Sequence, residues 1–137
     1  MKNTTLKKIL VIDDDAAILE CIVYFLEEEG HSVISCSDGS EGIRLFLEES
    51  FDLVVTDIMM PGKDGLGTII EMQKANPSVA ILAISGVDMK ETLLDAAEIF
   101  GAVHTLNKPF TRDQLLWAVG DALDNAAQAH LTKASLL

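Results

Sequence analysis

Residues 7–20 read KKILVIDDDAAILE, and the sequence changes character twice along this stretch. Residues 9–12 are all apolar and mostly β-branched, which is typical of a strand buried on both faces. Beyond the three aspartates, Leu19, Ile22, Val23 and Leu26 lie at i, i+3, i+4 and i+7, the period of an amphipathic helix. A buried strand that leads through acidic residues into a helix is a βα unit.

The three adjacent carboxylates need an explanation of their own. Asp13, Asp14 and Asp15 repel one another, and the end of a buried strand is a costly place for such charges. Either they lie in water and cap the helix, or a positive charge lies among them. Asp15, at the helix entrance, is expected to be the N-cap.

Composition limits the possible classes of protein. The chain has 137 residues, enough for one domain, and 49% of them are apolar but only 5% aromatic, so the core must be aliphatic. The net charge of −12 argues against direct binding of nucleic acid or of an anionic membrane, and favours a cationic partner or a bound cation. Cys21 and Cys36 have neither metal-site nor disulfide spacing. No signal peptide or membrane span is recognisable, so we expect a soluble, cytoplasmic protein.

The strand-then-helix alternation repeats along the chain. Strands are predicted at residues 9–12, 31–36, 53–55, 79–84 and 102–106. Helices are predicted at residues 16–29, 38–47, 65–76 and 89–100, and from the capping box of residues 111–114 onward. Five such units predict an α/β fold, a doubly wound (βα)5 with a five-stranded parallel sheet in the flavodoxin-like order 2-1-3-4-5. We expect one domain over residues 1–126, and a short tail over 127–137, a helix extension or linker, with no output domain.

Reactive side chains follow four of the five predicted strands. Asp13 and Asp14 follow the first strand, Asp57 the third, Ser85 the fourth and Lys108 the fifth. Ligands of such sheets bind beyond the carboxyl ends of the strands, near the switch in strand order. The predicted order makes the first and third strands neighbours, so the three carboxylates should meet in one cleft.

These side chains have a coherent chemistry. Clustered carboxylates favour a hard cation, Mg²⁺ or Mn²⁺. A carboxylate beside a metal and a lysine can attack phosphorus and form an aspartyl phosphate, and Asp57, alone on its loop, is the best nucleophile candidate. Taken singly, Asp57 is more often a turn residue, Ser85 a loop serine and Lys108 a solvated lysine. Their joint placement at strand ends favours the functional interpretation.

Four segments resemble the receiver domain of two-component response regulators, the CheY-like family. They are ILVIDDD, FDLVVTDIMMPGKDG, AILAISG and GAVHTLNKPF, in the order and spacing of that family, and the resemblance covers about residues 7–125. It implies that Asp57 accepts a phosphoryl group from a phosphohistidine on a sensor histidine kinase or a histidine phosphotransfer protein. The domain would catalyse only its own phosphorylation and dephosphorylation, and would not be a metabolic enzyme.

The resemblance also implies roles for the residues around Asp57. Asp14 and Asp57 would ligate Mg²⁺ directly, together with the backbone carbonyl of Met59, and Asp13 would act mainly through a metal-bound water. Ser85 would move to bond a phosphoryl oxygen. Lys108 would pair with the phosphate, and the Lys108–Pro109 bond would be cis.

One departure from the family concerns the switch. Most members carry Tyr or Phe three residues before the lysine, where this chain has Thr105, beside His104. The phosphorylation signal is expected to reach a downstream protein or a second copy through the face made by the helix of residues 89–100, the fifth strand and the last helix. How it does so without the aromatic is open. Met59 and Val87 occupy variable positions of the family that flank the site, and both are apolar. Because apolar side chains should impede water, we predict a long-lived phosphoryl group.

Three alternatives remain at this point. A constitutive, unphosphorylated scaffold of the same fold is compatible with Thr105. A Mg²⁺-dependent phosphohydrolase would commonly need a second aspartate two residues after Asp57, where this chain has Met59. A flavin-binding module is the weakest alternative, because acids occupy the loop where a phosphate cradle needs Ser, Thr or Gly.

Overall fold

Strands and helices alternate along the chain as the periodicity predicts. The computed structural model describes residues 6–58, 65–86 and 103–136. The strands are β1 (Lys8–Ile12), β2 (Ser32–Cys36), β3 (Leu53–Asp57), β4 (Ala80–Ser85) and β5 (Val103–Asn107). The helices of this part of the chain are α1 (Ala16–Glu28), α2 (Gly39–Glu48), α3 (Gly65–Ala75) and α4 (Arg112–Leu136). The predicted helix over residues 89–100 lies outside the described residues.

The strands form one parallel sheet. Its order is β2-β1-β3-β4-β5, which confirms the predicted fold class and strand order. β2 lies at one edge, and its mixture of exposed and half-buried residues suits that position. β1 and β3 are neighbours, so the acidic residues that follow them meet at the same end of the sheet.

Both faces of the sheet are covered by helices. Leu10 and Ile12 of β1 point to one face, where α2 and α3 contribute buried apolar side chains. Ile9 and Val11 point to the other face, where α1 and α4 pack. Burying an aliphatic side chain of this kind contributes on the order of 2 kcal/mol, so the core needs few aromatic residues.

Local hydrogen bonds fix the helix ends. Asp15 Oδ1 accepts the backbone N–H groups of Ala17 (3.0 Å) and Ile18 (3.3 Å), which confirms the predicted N-cap of α1. Asp38 caps α2 by accepting from the Glu41 amide at 2.8 Å. The predicted capping box at the start of α4 is also formed, since the side chains of Thr111 and Gln114 each accept the other residue's backbone N–H.

Gly30 ends α1 in a left-handed conformation, with φ of 91°. Its N–H donates to the Glu27 carbonyl, and the next amide, that of His31, donates to the Leu26 carbonyl. This pair of bonds is a Schellman motif, which needs the positive φ that glycine adopts without strain. The motif directs the chain into β2.

A glycine also allows α2 to approach the sheet. A Cβ atom on Gly42 would overlap Ile12 Cδ1, would lie 3.0 Å from Ile12 Cγ1 and would lie 3.5 Å from Cys36 Sγ. Ile12 is the last residue of β1 and directly precedes Asp13. The absence of a side chain at position 42 therefore determines how α2 packs beside the acidic end of β1.

The last helix extends beyond residue 126, the predicted end of the domain. The backbone of α4 continues through residues 127–136, the segment predicted as a helix extension or linker. Among the helices of the described ranges, none is both long enough and apolar enough to cross a bilayer.

Candidate functional site

Asp13 connects the end of β1 to the start of α1. Its side chain is fully buried, and its Oδ1 accepts the backbone N–H of Asp15 at 2.9 Å. The side chain of Asp15 caps the helix. Asp14, between them, is exposed. The three consecutive aspartates therefore lie in three different environments, and only Asp13 is withdrawn from water.

Asp57 is the last residue of β3 and is 3% exposed. One oxygen atom from each of Asp13, Asp14 and Asp57 can be chosen so that all three lie within 4.8 Å of one another. The structure thus brings together the three carboxylates that the sequence placed after β1 and β3. This acidic cluster has the oxygen donors that a hard divalent cation binds.

Lys108 brings a positive charge into the site. Its Nζ donates a hydrogen bond to Asp57 Oδ2 at 2.8 Å and lies 3.3 Å from Asp13 Oδ2. The peptide bond between Lys108 and Pro109 is cis. Among the described residues, one ammonium thus faces three carboxylates, so these four groups together carry an excess of negative charge.

One buried oxygen of the cluster accepts no hydrogen bond from the described residues. This atom is Asp13 Oδ2, whose contact with the Lys108 ammonium at 3.3 Å is an ion pair. Buried polar atoms without a partner are rare and costly in proteins. Asp13 Oδ2, with the excess negative charge around it, fits a site that holds a cation.

Burial and charge shift the pKa values of two of these groups. Burial raises the pKa of Asp13, and the charge of Asp57 adds to this rise, while the Asp15 amide and Lys108 oppose it. Burial alone would lower the pKa of Lys108, but the hydrogen bond to Asp57 and the charges of both aspartates together raise it. Lys108 therefore stays protonated, while ionised Asp13 is held at a cost.

Ser85, the last residue of β4, is fully buried, and its hydroxyl forms a hydrogen bond on the β5 side, away from Asp57. Ser85 Oγ donates to Asn107 Oδ1 of β5 at 2.8 Å. Its carbonyl accepts the backbone N–H of Lys108 at 2.7 Å. Asn107 was not among the residues expected from the sequence, since this bond depends on the register between two strands.

Thr105 is exposed on β5, two residues before Asn107. Both residues line an open groove of about 520 Å³, together with the exposed Trp117 of α4. The adjacent His104 makes a 3.2 Å contact from its Nδ1 to Asp121 Oδ2 of α4, so it ties the strand to the helix. The predicted metal ligand Met59 and the flanking Val87 lie outside the described residues.

Comparison with known proteins identifies a family. The family model for the response regulator receiver domain matches residues 9–120 of this chain. The transcriptional regulatory protein GlrR of Escherichia coli K12 is 32% identical over 121 residues, which make up 88% of this chain and 27% of GlrR. The chain spans about a quarter to a half of the length of the curated relatives that it matches.

Solved structures show the same similarity. A response regulator receiver domain protein of Clostridium thermocellum has a TM-score of 0.82 and 33% identity, and the match covers 90% of this chain and 99% of that one. NtrX of Brucella abortus has a TM-score of 0.87 and 28% identity, over 95% of this chain and 29% of NtrX. The fold and the sequence segments around the acidic cluster therefore point to the same group of proteins.

Proposed function

Because the chain belongs to the response regulator receiver domain family, we propose that it is a phosphoacceptor switch of a two-component phosphorelay, with Asp57 as the residue that accepts the phosphoryl group. The proposal depends chiefly on one observation, the Lys108 ammonium placed 2.8 Å from Asp57 Oδ2 beside two further carboxylates. A lysine bonded to a strand-end aspartate can neutralise the oxygens of a group transferred to that aspartate. A scaffold that is never phosphorylated would have no need of this arrangement.

The proposed transfer takes place at a carboxylate oxygen of Asp57. This oxygen attacks the phosphorus of a phosphohistidine, and the phosphorus–nitrogen bond breaks. The electron pair stays on the imidazole nitrogen, which takes up a proton, and Asp57 becomes an acyl phosphate. Lys108 holds the phosphoryl oxygens by its positive charge, and burial of Asp57 keeps most water away from the new bond.

Mg²⁺ fits the acidic cluster, and Mn²⁺ has similar preferences. The carboxylates of Asp13, Asp14 and Asp57 would hold the ion, together with the backbone carbonyl of Met59. When bound, the ion supplies positive charge to the phosphoryl oxygens. Asp13 Oδ2, which accepts no hydrogen bond within the described part of the chain, supports this assignment.

The proposed donors are a sensor histidine kinase or a histidine phosphotransfer protein. We propose that the domain catalyses no reaction beyond its own phosphorylation and dephosphorylation. Its output would be a changed surface around β5 and α4, read by a downstream protein or by a second copy of the chain.

Mass measurement tests the assignment of Asp57. The wild type, incubated with a small phosphodonor and Mg²⁺, should gain the mass of one phosphoryl group, and Asp57→Asn should gain none. Asp38→Asn is the matched control, because Asn caps a helix as well as Asp does and Asp38 lies at the start of α2. No gain on the wild type, or an equal gain on Asp57→Asn, would contradict the proposal.

The lifetime of the phosphoryl group is a second, separate prediction. Because Met59 and Val87 are apolar and should impede the attack of water, we expect the acyl phosphate to outlast minutes after the donor is removed. Decay of the phosphorylated mass with time measures this. Complete hydrolysis within minutes, without a phosphatase, would show that these side chains do not protect the bond.

A further inference from the structure

The Ser85 hydroxyl has an acceptor that phosphoryl transfer does not require. Ser85 Oγ donates to Asn107 Oδ1 at 2.8 Å, and the β4–β5 ladder pairs the same two residues. The Ser85 carbonyl is bonded to the Lys108 amide at 2.7 Å, so the backbone on both sides of this contact is fixed. Only the side chains are therefore free to exchange partners.

Ser85 lies between two possible acceptors. The sheet order places β4 between β3, which ends in Asp57, and β5, which ends in Asn107. Asp57 pairs with Ile84, the residue directly before Ser85. A serine hydroxyl has one proton to donate, so it cannot serve Asn107 and a phosphoryl oxygen on Asp57 at the same time.

We propose that Asn107 is a positioning residue, which holds the Ser85 hydroxyl on the β5 side until a phosphoryl oxygen on Asp57 replaces it. The inference rests on the proposed function of Asp57. It deepens that function by naming a group in this chain that opposes the phosphorylated state.

The same exchange gives the signal a route to the surface. When Ser85 turns to the phosphoryl group, the Asn107 amide loses its partner and can reorient. Asn107 lines the groove that also contains Thr105 and Trp117. In this chain the displaced Asn107 amide takes over the role of the Tyr or Phe that most family members carry at the position of Thr105.

The proposal predicts that loss of the Asn107 side chain favours the phosphorylated state. In Asn107→Ala the buried Ser85 hydroxyl has no partner in the unmodified protein, but it still finds one when a phosphoryl group is present. Only the unmodified state is penalised, because the hydrogen bond from Ser85 to Asn107 is made only there. The variant should fold, since Asn107 is exposed at the end of a strand.

Beryllofluoride, which bonds a carboxylate oxygen as a phosphoryl group does, provides the test. In the presence of Mg²⁺, titration calorimetry should show that Asn107→Ala binds it about fivefold more tightly than the wild type, the effect of one ordinary hydrogen bond. The matched control is Asn125→Ala, which removes an exposed amide that is bonded, among the described residues, to Asp121 of its own helix. It should leave the affinity unchanged.

A double-mutant cycle separates positioning from general loosening of the structure. In a Ser85→Ala background, Asn107→Ala should change the affinity little, because no hydroxyl remains to be released. The rate of phosphorylation by a small phosphodonor, measured on the same four proteins, gives a second reading of the same coupling.

Each outcome has a distinct meaning. Failure of the wild type to bind beryllofluoride would overturn the phosphoacceptor function itself. Binding by the wild type, with equal or weaker binding by Asn107→Ala, would overturn only the role of Asn107. The same tightening in the Ser85→Ala background would also overturn it, because the effect would then not pass through the hydroxyl.

Discussion

Asp13 illustrates how a single residue can lower stability for the sake of binding. It is fully buried, it lies within reach of two other carboxylates, and one of its oxygens has no hydrogen bond from the described residues. Burial raises its pKa above the usual 3.8, so the folded protein holds the ionised form at a cost at neutral pH. This cost declines as the pH falls toward 3.8, because the folded state then binds the proton more readily than the unfolded chain.

Asp13→Asn should therefore stabilise the metal-free protein. Without divalent cations we expect the free energy of unfolding to rise by about 1–2 kcal/mol, because the neutral amide removes a buried charge and its repulsion with Asp57. Mg²⁺ should then add less stability than it adds to the wild type, because one oxygen donor is lost. Urea unfolding with EDTA and with Mg²⁺ measures both effects.

Asp15→Asn is the control for this prediction. It removes a charge from the same run of aspartates but keeps the helix cap, since Asn and Asp are equivalent there. Lower stability of Asp13→Asn without metal would show that the ion pair with Lys108 outweighs the cost of burial.

His31 should make stability depend on pH in the opposite sense. Its Nδ1 accepts the Lys7 amide at 3.1 Å, and burial lowers its pKa below the usual 6.5. The unfolded chain therefore binds a proton more readily, so His31 contributes stability above pH 6.5 that is lost as the pH falls through its folded pKa.

His31→Asn should weaken this pH dependence. Asn retains an acceptor near the Nδ1 position but does not titrate, so the variant should lose less stability than the wild type between neutral pH and about pH 5. Thermal unfolding across this range measures the difference. Parallel curves for the two proteins would show that other groups govern the acid transition.

At the scale of secondary-structure elements, two glycines in helix interiors have opposite surroundings. Gly42 of α2 faces Ile12 and Cys36 at close range, whereas a Cβ atom on Gly120 of α4 would meet nothing within 4 Å. Both would gain helix propensity as alanine. Packing alone distinguishes them.

Gly42→Ala and Gly120→Ala should accordingly change stability in opposite directions. Gly120→Ala should stabilise by about 0.5–1 kcal/mol through reduced backbone entropy of the unfolded chain. Gly42→Ala should destabilise by about 1 kcal/mol net, because overpacking costs roughly 1–3 kcal/mol and helix propensity returns part of it. Urea denaturation midpoints of the two variants test this, and stabilisation by both would mean that Ile12 rearranges freely.

At the scale of the whole molecule, the sequence predicted what depends on local chemistry. Asp57 could be placed because it follows a strand with a clear apolar run, and Lys108 because it follows the fifth strand of the repeating strand–helix pattern. Parallel strands end at one edge of a sheet, so the two residues were expected to meet. The bond between Ser85 and Asn107 could not be predicted, because it requires the register of β4 against β5. The contact of His104 with Asp121 depends in the same way on how α4 packs against the sheet.

Net charge is a property of the whole chain that can be tested directly. At −12, with the acidic cluster at one end of the sheet, repulsion should lower the stability of the folded state at low salt. Raising sodium chloride from about 0.1 M to about 1 M shortens the Debye length from about 10 Å to about 3 Å and should raise the melting temperature. At equal ionic strength, Mg²⁺ should raise the melting temperature of the wild type more than that of Asp57→Asn. An equal rise in both proteins would indicate that Mg²⁺ acts by screening alone.

Trp117 gives the molecule an optical reporter of its own. It is the only tryptophan of the chain, it is 63% exposed, and it lines the same groove as Thr105 and Asn107. Tryptophan emission therefore comes from one known position on the surface that is expected to change on phosphorylation. Stopped-flow fluorescence can then time the rearrangement in the unlabelled protein, and a mass spectrum taken in parallel shows whether the optical change accompanies or follows phosphorylation of Asp57.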